Sequence, residues 1–140
     1  MLLIIGAGGG FSRVLANSGV GDAVAGLTAH SHVPPLVLGW LIAALIRLST
    51  GSATVSITTA AGIVAPMMAS MPTVNIELMV IAMGAGSLIF SHVNDSGFWF
   101  VKEYFNMTVT GTLRTWTVVE TVVSIVALGL ILLLNPLIQP

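Results

Sequence analysis

Two polar knots interrupt an otherwise apolar chain, and both contain side chains able to hold an anion or a proton. The first is Ser49, Thr50, Gly51, Ser52, Ala53 and Thr54, where four hydroxyls sit within six positions beside a glycine. Hydroxyls donate to carboxylates, and a helix starting at Ser52 to Thr54 would aim unpaired N–H groups and its positive dipole end at the same anion. Hydroxyls also pack membrane helices together, which is the plainer reading. The second knot holds His92, Asn94, Asp95 and Ser96. An ionisable side chain inside a membrane span is functional by default, because burying it costs ~2.5–3.5 kcal/mol or more. Asp95 is therefore the candidate proton or cation site, and His92 a candidate relay, histidine being the side chain that changes charge near neutral pH. The competing reading makes this knot a loop at the membrane surface, since only residues 98–101 resume the apolar run. Arg47 precedes the first knot; it either pairs with a substrate carboxylate, or snorkels, or neutralises a carboxylate elsewhere in the fold.

The elements that must position these groups follow from composition. Hydrophobic residues make up 56% of the 140, charged residues 6%, and the mean hydropathy is +1.04. A soluble domain carries ~25% charged residues, so the bilayer must be the solvent. Apolar arms at 36–46 and 57–68 flank the first knot, and each is shorter than the ~20 residues of a spanning helix. Two short arms joined by a Gly/Ser/Thr turn predict a re-entrant hairpin over 35–71, tolerated at depth only where the backbone is packed in protein or lines a wet cavity. Pro66 should kink or end the second arm. Residues 76–103 read as one broken transmembrane helix, apolar to Phe90, interrupted at 91–97 and capped at its start by Thr73 or Asn75. A polar loop over 102–114 leads to the last transmembrane helix at 114–135, ended by Asn135 and Pro136. Before the hairpin lie a glycine-rich partial membrane helix at 1–17 and a short interfacial helix at 20–31. Lys102 and Arg114 place their loop in the cytoplasm by the positive-inside rule, so the hairpin enters from outside. Glu77 and Glu120 are read as helix N-terminal residues favoured by the dipole, and Trp116 as an interface anchor.

Other chemistries lack their residues. There is no cysteine, so thiolate metal sites and cysteine nucleophiles are excluded. Gly6, Gly8 and Gly10 meet Phe11 where a dinucleotide fingerprint needs glycine. His30 and His32 at i, i+2 do not share a helix face, and the neighbouring His92, Asp95 and Ser96 imply no triad geometry. Four scattered basic residues make no nucleic-acid surface. The chain reads as a transporter segment and not an enzyme; a channel filter and a non-transporting membrane subunit are the alternatives.

The runs at 6–22 (GAGGGFSRVLANSGVGD), 47–66 (RLSTGSATVSITTAAGIVAP) and 91–98 (SHVNDSGF) resemble the C-terminal part of the gluconate permease family. The family in turn resembles the ion transporter superfamily of secondary carboxylate carriers. That resemblance implies an all-α membrane protein, the second half of an inverted-repeat transporter, with a re-entrant helical hairpin and a discontinuous helix. It further implies proton symport of gluconate or a related sugar acid, with D-serine or another small carboxylate as the alternative cargo, by a multi-pass protein of the bacterial inner membrane. Substrate would lie at the hairpin tip, Ser49, Thr50, Gly51, Ser52 and Thr54, and at Asn94 and Ser96 in the break. The partners implied are a gluconate-like organic anion, protons, the lipid bilayer and the N-terminal half of the transporter. A homo-oligomer is left open, and no cofactor is implied. The first repeat is missing from this sequence, so the expectation is a fragment inactive alone.

Overall fold

The computed structural model describes residues 33–69 and 73–138, and before them the separate positions 6, 10, 13, 14, 17–19 and 26. The expected segments at 1–17 and 20–31 therefore lie largely outside the described residues, as do positions 70 and 71 at the end of the hairpin. The described residues form helices joined by turns and short irregular links, with no strand among them.

Helix α1 runs Pro35–Thr50, with proline at its first position, where a missing N–H is harmless. It stops at Gly51, whose φ of 70° is left-handed and whose N–H returns to the Arg47 carbonyl at 2.9 Å. Helix α2, Ala53–Ala69, begins at once; the Ser52 hydroxyl accepts from Val55 N–H at 3.4 Å. The two helices form a hairpin, tied across by the Ser56 hydroxyl donating to the Ala43 carbonyl at 2.5 Å. Pro66 lies within α2, which continues to Ala69.

Helix α3, Ile76–Gly86, is capped by Asn75, whose side chain accepts from Leu78 N–H at 2.8 Å, with Glu77 in the first turn. It ends four residues before the expected Phe90. There the Ser87 hydroxyl bonds the Gly84 carbonyl at 2.7 Å, Leu88 and Ile89 make tight i→i−3 bonds, and Phe90 takes a positive φ of 51°. Local hydrogen bonding thus overrides the apolar character of residues 88–90. Helix α4, Ser96–Tyr104, starts on Asp95, whose side chain caps Gly97 N–H.

The polar loop expected over 102–114 is corrected to a link at 105–108. Lys102 belongs to α4, and Thr108 caps the short helix α5, Val109–Thr112, by accepting from Gly111 N–H at 3.0 Å. A π-turn, Leu113–Thr117, then joins α5 to α6, Val118–Ile138, without a break. This helical run of 30 residues is the one, among the described residues, long and apolar enough to cross a membrane. It also passes the expected stop at Asn135 and Pro136, because Pro136 falls within its last turn.

The core forms where α1, α2, α3 and α6 meet, from Leu36, Ala43, Ala60, Val64, Met67, Leu78, Met79, Ala82, Met83 and Ile131. Small residues set the approach distance, as in lipid-embedded bundles, where close packing replaces the hydrophobic drive between helices. At Gly86 an added Cβ would run into the Trp40 carbonyl, whose carbon lies 3.0 Å away. Gly129 has open space around it. Gly86→Ala should therefore lower stability by about 1–3 kcal/mol, since backbone cannot rotate out of the way, while Gly129→Ala should be neutral or mildly stabilising. Thermal unfolding in detergent, both variants side by side, checks the contrast.

Candidate functional site

One stripe of α1 explains the site. Leu36, Gly39, Ala43 and Arg47 follow i, i+3, i+4 spacing and are all buried, so Arg47 enters the bundle on the packed face of its helix. Its residue is 3% exposed. A buried guanidinium must be paired and hydrogen-bonded. Nη1 donates to the Gly51 carbonyl at 2.6 Å, and Nη2 donates to Asp95 Oδ2 at 2.5 Å. Nη2 also lies 3.5 Å from Glu120 Oε2 on α6. One side chain therefore ties the hairpin tip to the break between α3 and α4 and faces a second carboxylate.

Asp95 is held from every side. Its Oδ2 also accepts the Ser91 hydroxyl, and Oδ1 accepts Gly97 N–H at 2.8 Å. Ser91 is anchored in turn by Trp116 Nε1, which donates to its hydroxyl at 3.1 Å, and by the Thr117 hydroxyl, which donates to its carbonyl. Both donors sit in the π-turn, a geometry that often marks functional sites. Asn94 closes the remaining gap. Its amide donates to the Leu48 carbonyl at 3.1 Å, serving a carbonyl from the last turn of α1. Gly51 lies so close beneath it that an added Cβ would collide with the Asn94 carbonyl group.

The structure thus brings together Arg47, Gly51, Asn94 and Asp95. Ser49 and Thr50 are exposed, and their hydroxyls return to the Leu45 and Ile46 carbonyls at 2.9 and 2.8 Å. Ser52 and Thr54 stand at the start of α2, and Ser96 is exposed in the first turn of α4. His92 stays apart, its ring nitrogen 2.9 Å from the Phe90 carbonyl. Glu120 lies in the first turn of α6, as expected, but the helical run begins at Val109, so that turn is no free helix end, and its position facing Arg47 is what sequence reasoning missed. The signal was present in the stripe Thr117, Glu120, Ser124 and Ala127, small or polar positions at helical spacing within Val and Leu. Trp116, read as an interface anchor, is instead half-buried against Ser91.

The sequence matches the family model described as GntP family permease over residues 1–137. It is 56% identical over 135 residues to a gluconate permease of Pseudomonas aeruginosa, an alignment covering 96% of this chain and 30% of that protein. Identity is 53% to a gluconate permease of Bacillus subtilis and 49% to the Gnt-II system L-idonate transporter of Escherichia coli, again over 96% of this chain and 30% of each relative. The chain thus spans about 30% of the length of the curated relatives it matches. No solved structure matches it.

Removing one partner of a buried ion pair strands the other, typically at about 3–5 kcal/mol. Arg47→Met should lower stability by about that much, and adding Asp95→Asn should recover part of the loss. A double-mutant cycle on unfolding midpoints in detergent measures the coupling; additive effects would show that the pair is not coupled.

Proposed function

The chain belongs to the GntP permease family, and from that premise we propose that it supplies one half of the substrate site in a secondary carrier of gluconate or a related sugar acid. In this reading α1 and α2 are the re-entrant hairpin, α3 and α4 the discontinuous helix, and the carrier is a multi-pass proton symporter of the bacterial inner membrane. The observation that carries the reading is the contact between the two irregular segments, Gly51 against Asn94 and Arg47 on Asp95. Helices of 16 and 17 residues are about 24–26 Å long at 1.5 Å per residue, short of a ~30 Å hydrocarbon slab. Their tip would end at depth, where unwound backbone persists only if packed in protein. The break provides that packing.

Substrate recognition falls to what flanks the contact. Arg47 is buried with both Nη atoms engaged, so it acts as the internal counter-ion of Asp95 and does not reach a solute. Helices α2 and α4 both start beside the contact, and their first N–H groups with Ser52, Thr54, Asn94 and Ser96 suit a carboxylate and its neighbouring hydroxyls. The relatives named for gluconate and L-idonate favour a sugar acid over D-serine as cargo. The remaining length of those relatives would supply the opposing hairpin and break, and alternating access would need both halves.

A chimera with this chain in place of the matching segment of the Pseudomonas aeruginosa permease tests the proposal. It should take up labelled gluconate saturably, and a protonophore should abolish accumulation. Conductance without coupling would instead favour a channel, and an inactive chimera at normal membrane levels would sink the carrier reading. Within an active chimera, Ser52→Ala or Thr54→Ala should raise the apparent KM roughly five- to tenfold, about 1–1.4 kcal/mol for one lost hydrogen bond.

A further inference from the structure

The buried cluster contains one cation and two anions. Arg47 faces Asp95 and Glu120, and the three side chains are 4%, 9% and 15% exposed. With both carboxylates ionised the cluster has a net charge of one minus, which a low-dielectric site opposes. Two atoms within it are also unserved. Arg47 Nε and Glu120 Oε2 are buried with no hydrogen-bond partner among the described residues. Asp95, by contrast, receives Arg47, the Ser91 hydroxyl and Gly97 N–H. The cluster is thus built around a fixed Asp95 anion and an under-coordinated Glu120.

We propose that Glu120 is the carboxylate that takes up and releases the coupled proton, and that its charge sets how firmly Arg47 clasps the hairpin tip to the break. The inference rests on the carrier reading above. A proton from water converts the Glu120 carboxylate to the acid, and the cluster becomes neutral. Arg47 Nη2 then answers to Asp95 alone, Nη1 stays on the Gly51 carbonyl, and tip and break are held in the arrangement that binds substrate. Loss of the proton to water on the other side restores the second anion, which draws the guanidinium toward α6 and loosens the clasp. Among the described residues, no other charged side chain is buried in the cluster: Arg114 in the π-turn is exposed, and Lys102 pairs with Glu103 on α4. Helix α1 presents only Arg47; α3 has only Glu77, exposed in its first turn; and the break offers Asp95 and His92, whose ring is bound to the Phe90 carbonyl. Ser124, one turn along α6, is occupied by Trp40 and the Ala85 carbonyl.

The test uses the full-length chimera and two readouts. Glu120→Gln should lose proton-driven accumulation of gluconate while still exchanging labelled for unlabelled gluconate across the membrane, and Glu120→Asp should restore part of the accumulation. Asp95→Asn should lose exchange as well, because the clasp opens. Independently of transport, Glu120→Gln should remove one component from the infrared carboxylic-acid band that appears when the purified chimera is acidified. Accumulation that survives Glu120→Gln in an active chimera, or a band unchanged by it, would overturn the assignment while leaving the carrier reading intact. An inactive parent chimera bears on the carrier reading instead, and the band still decides where the proton sits.

Discussion

Sealing a guanidinium inside a helical bundle demands a counter-ion and acceptors for its terminal N–H groups, and most of the architecture around Arg47 follows from that requirement. Two of its acceptors come from places where helices have ended: the Gly51 carbonyl at the hairpin tip and the Asp95 carboxylate at the break. Carbonyls inside a regular helix already accept from their own backbone, so a helix end offers the freer ones. The arginine and the two interruptions therefore belong to one device. Gly51 allows the left-handed stop and also the close approach to Asn94, two demands that no residue with a Cβ meets at once.

A second layer keeps that device in register. Ser91 fixes Asp95, and the π-turn fixes Ser91 through two successive side chains, Trp116 and Thr117. In a regular α-helix neighbouring residues point about 100° apart, so a local widening helps both to converge on one partner. The long helix that contains the π-turn therefore does more than supply an apolar run long enough to cross a membrane. Its polar stripe runs from Thr117 through Glu120 to Ser124, each touching a different part of the break or of α1, while Val and Leu side chains cover the exposed faces.

Local chemistry was legible in the sequence wherever a residue acts on its own backbone. The hairpin turn at Gly51, the Asn75 cap and the interruption around Asp95 are of this kind, since glycine, asparagine and aspartate stop or start helices by short-range bonds. What misled was hydropathy read without context. Residues 88–90 are apolar and yet form a tight turn, because the Ser87 hydroxyl competes for the Gly84 carbonyl. Lys102 and Arg114 looked like loop residues, but Lys102 lies on α4 beside the Trp99 ring and pairs with Glu103. Glu120 was hidden differently. Its meaning depends on Arg47, 73 positions earlier in the sequence, and only the packing of α1 against α6 brings the two together.

The pairing of Arg47 with Asp95 and Glu120 bears on how the proposed carrier would recognise its solute. A carrier that used its buried arginine to grip a substrate carboxylate would have to release Asp95 or Glu120 at each binding event, exposing an unpaired charge in low dielectric. Neutral donors at two helix starts avoid that cost, because backbone N–H groups and hydroxyls attract an anion without leaving a stranded ion when it departs. In the proposed carrier the arginine would serve as the link between proton and hairpin, through its bond to the Gly51 carbonyl rather than by touching the solute. On that proposal, paired charges would carry the coupling and helix-start dipoles the recognition.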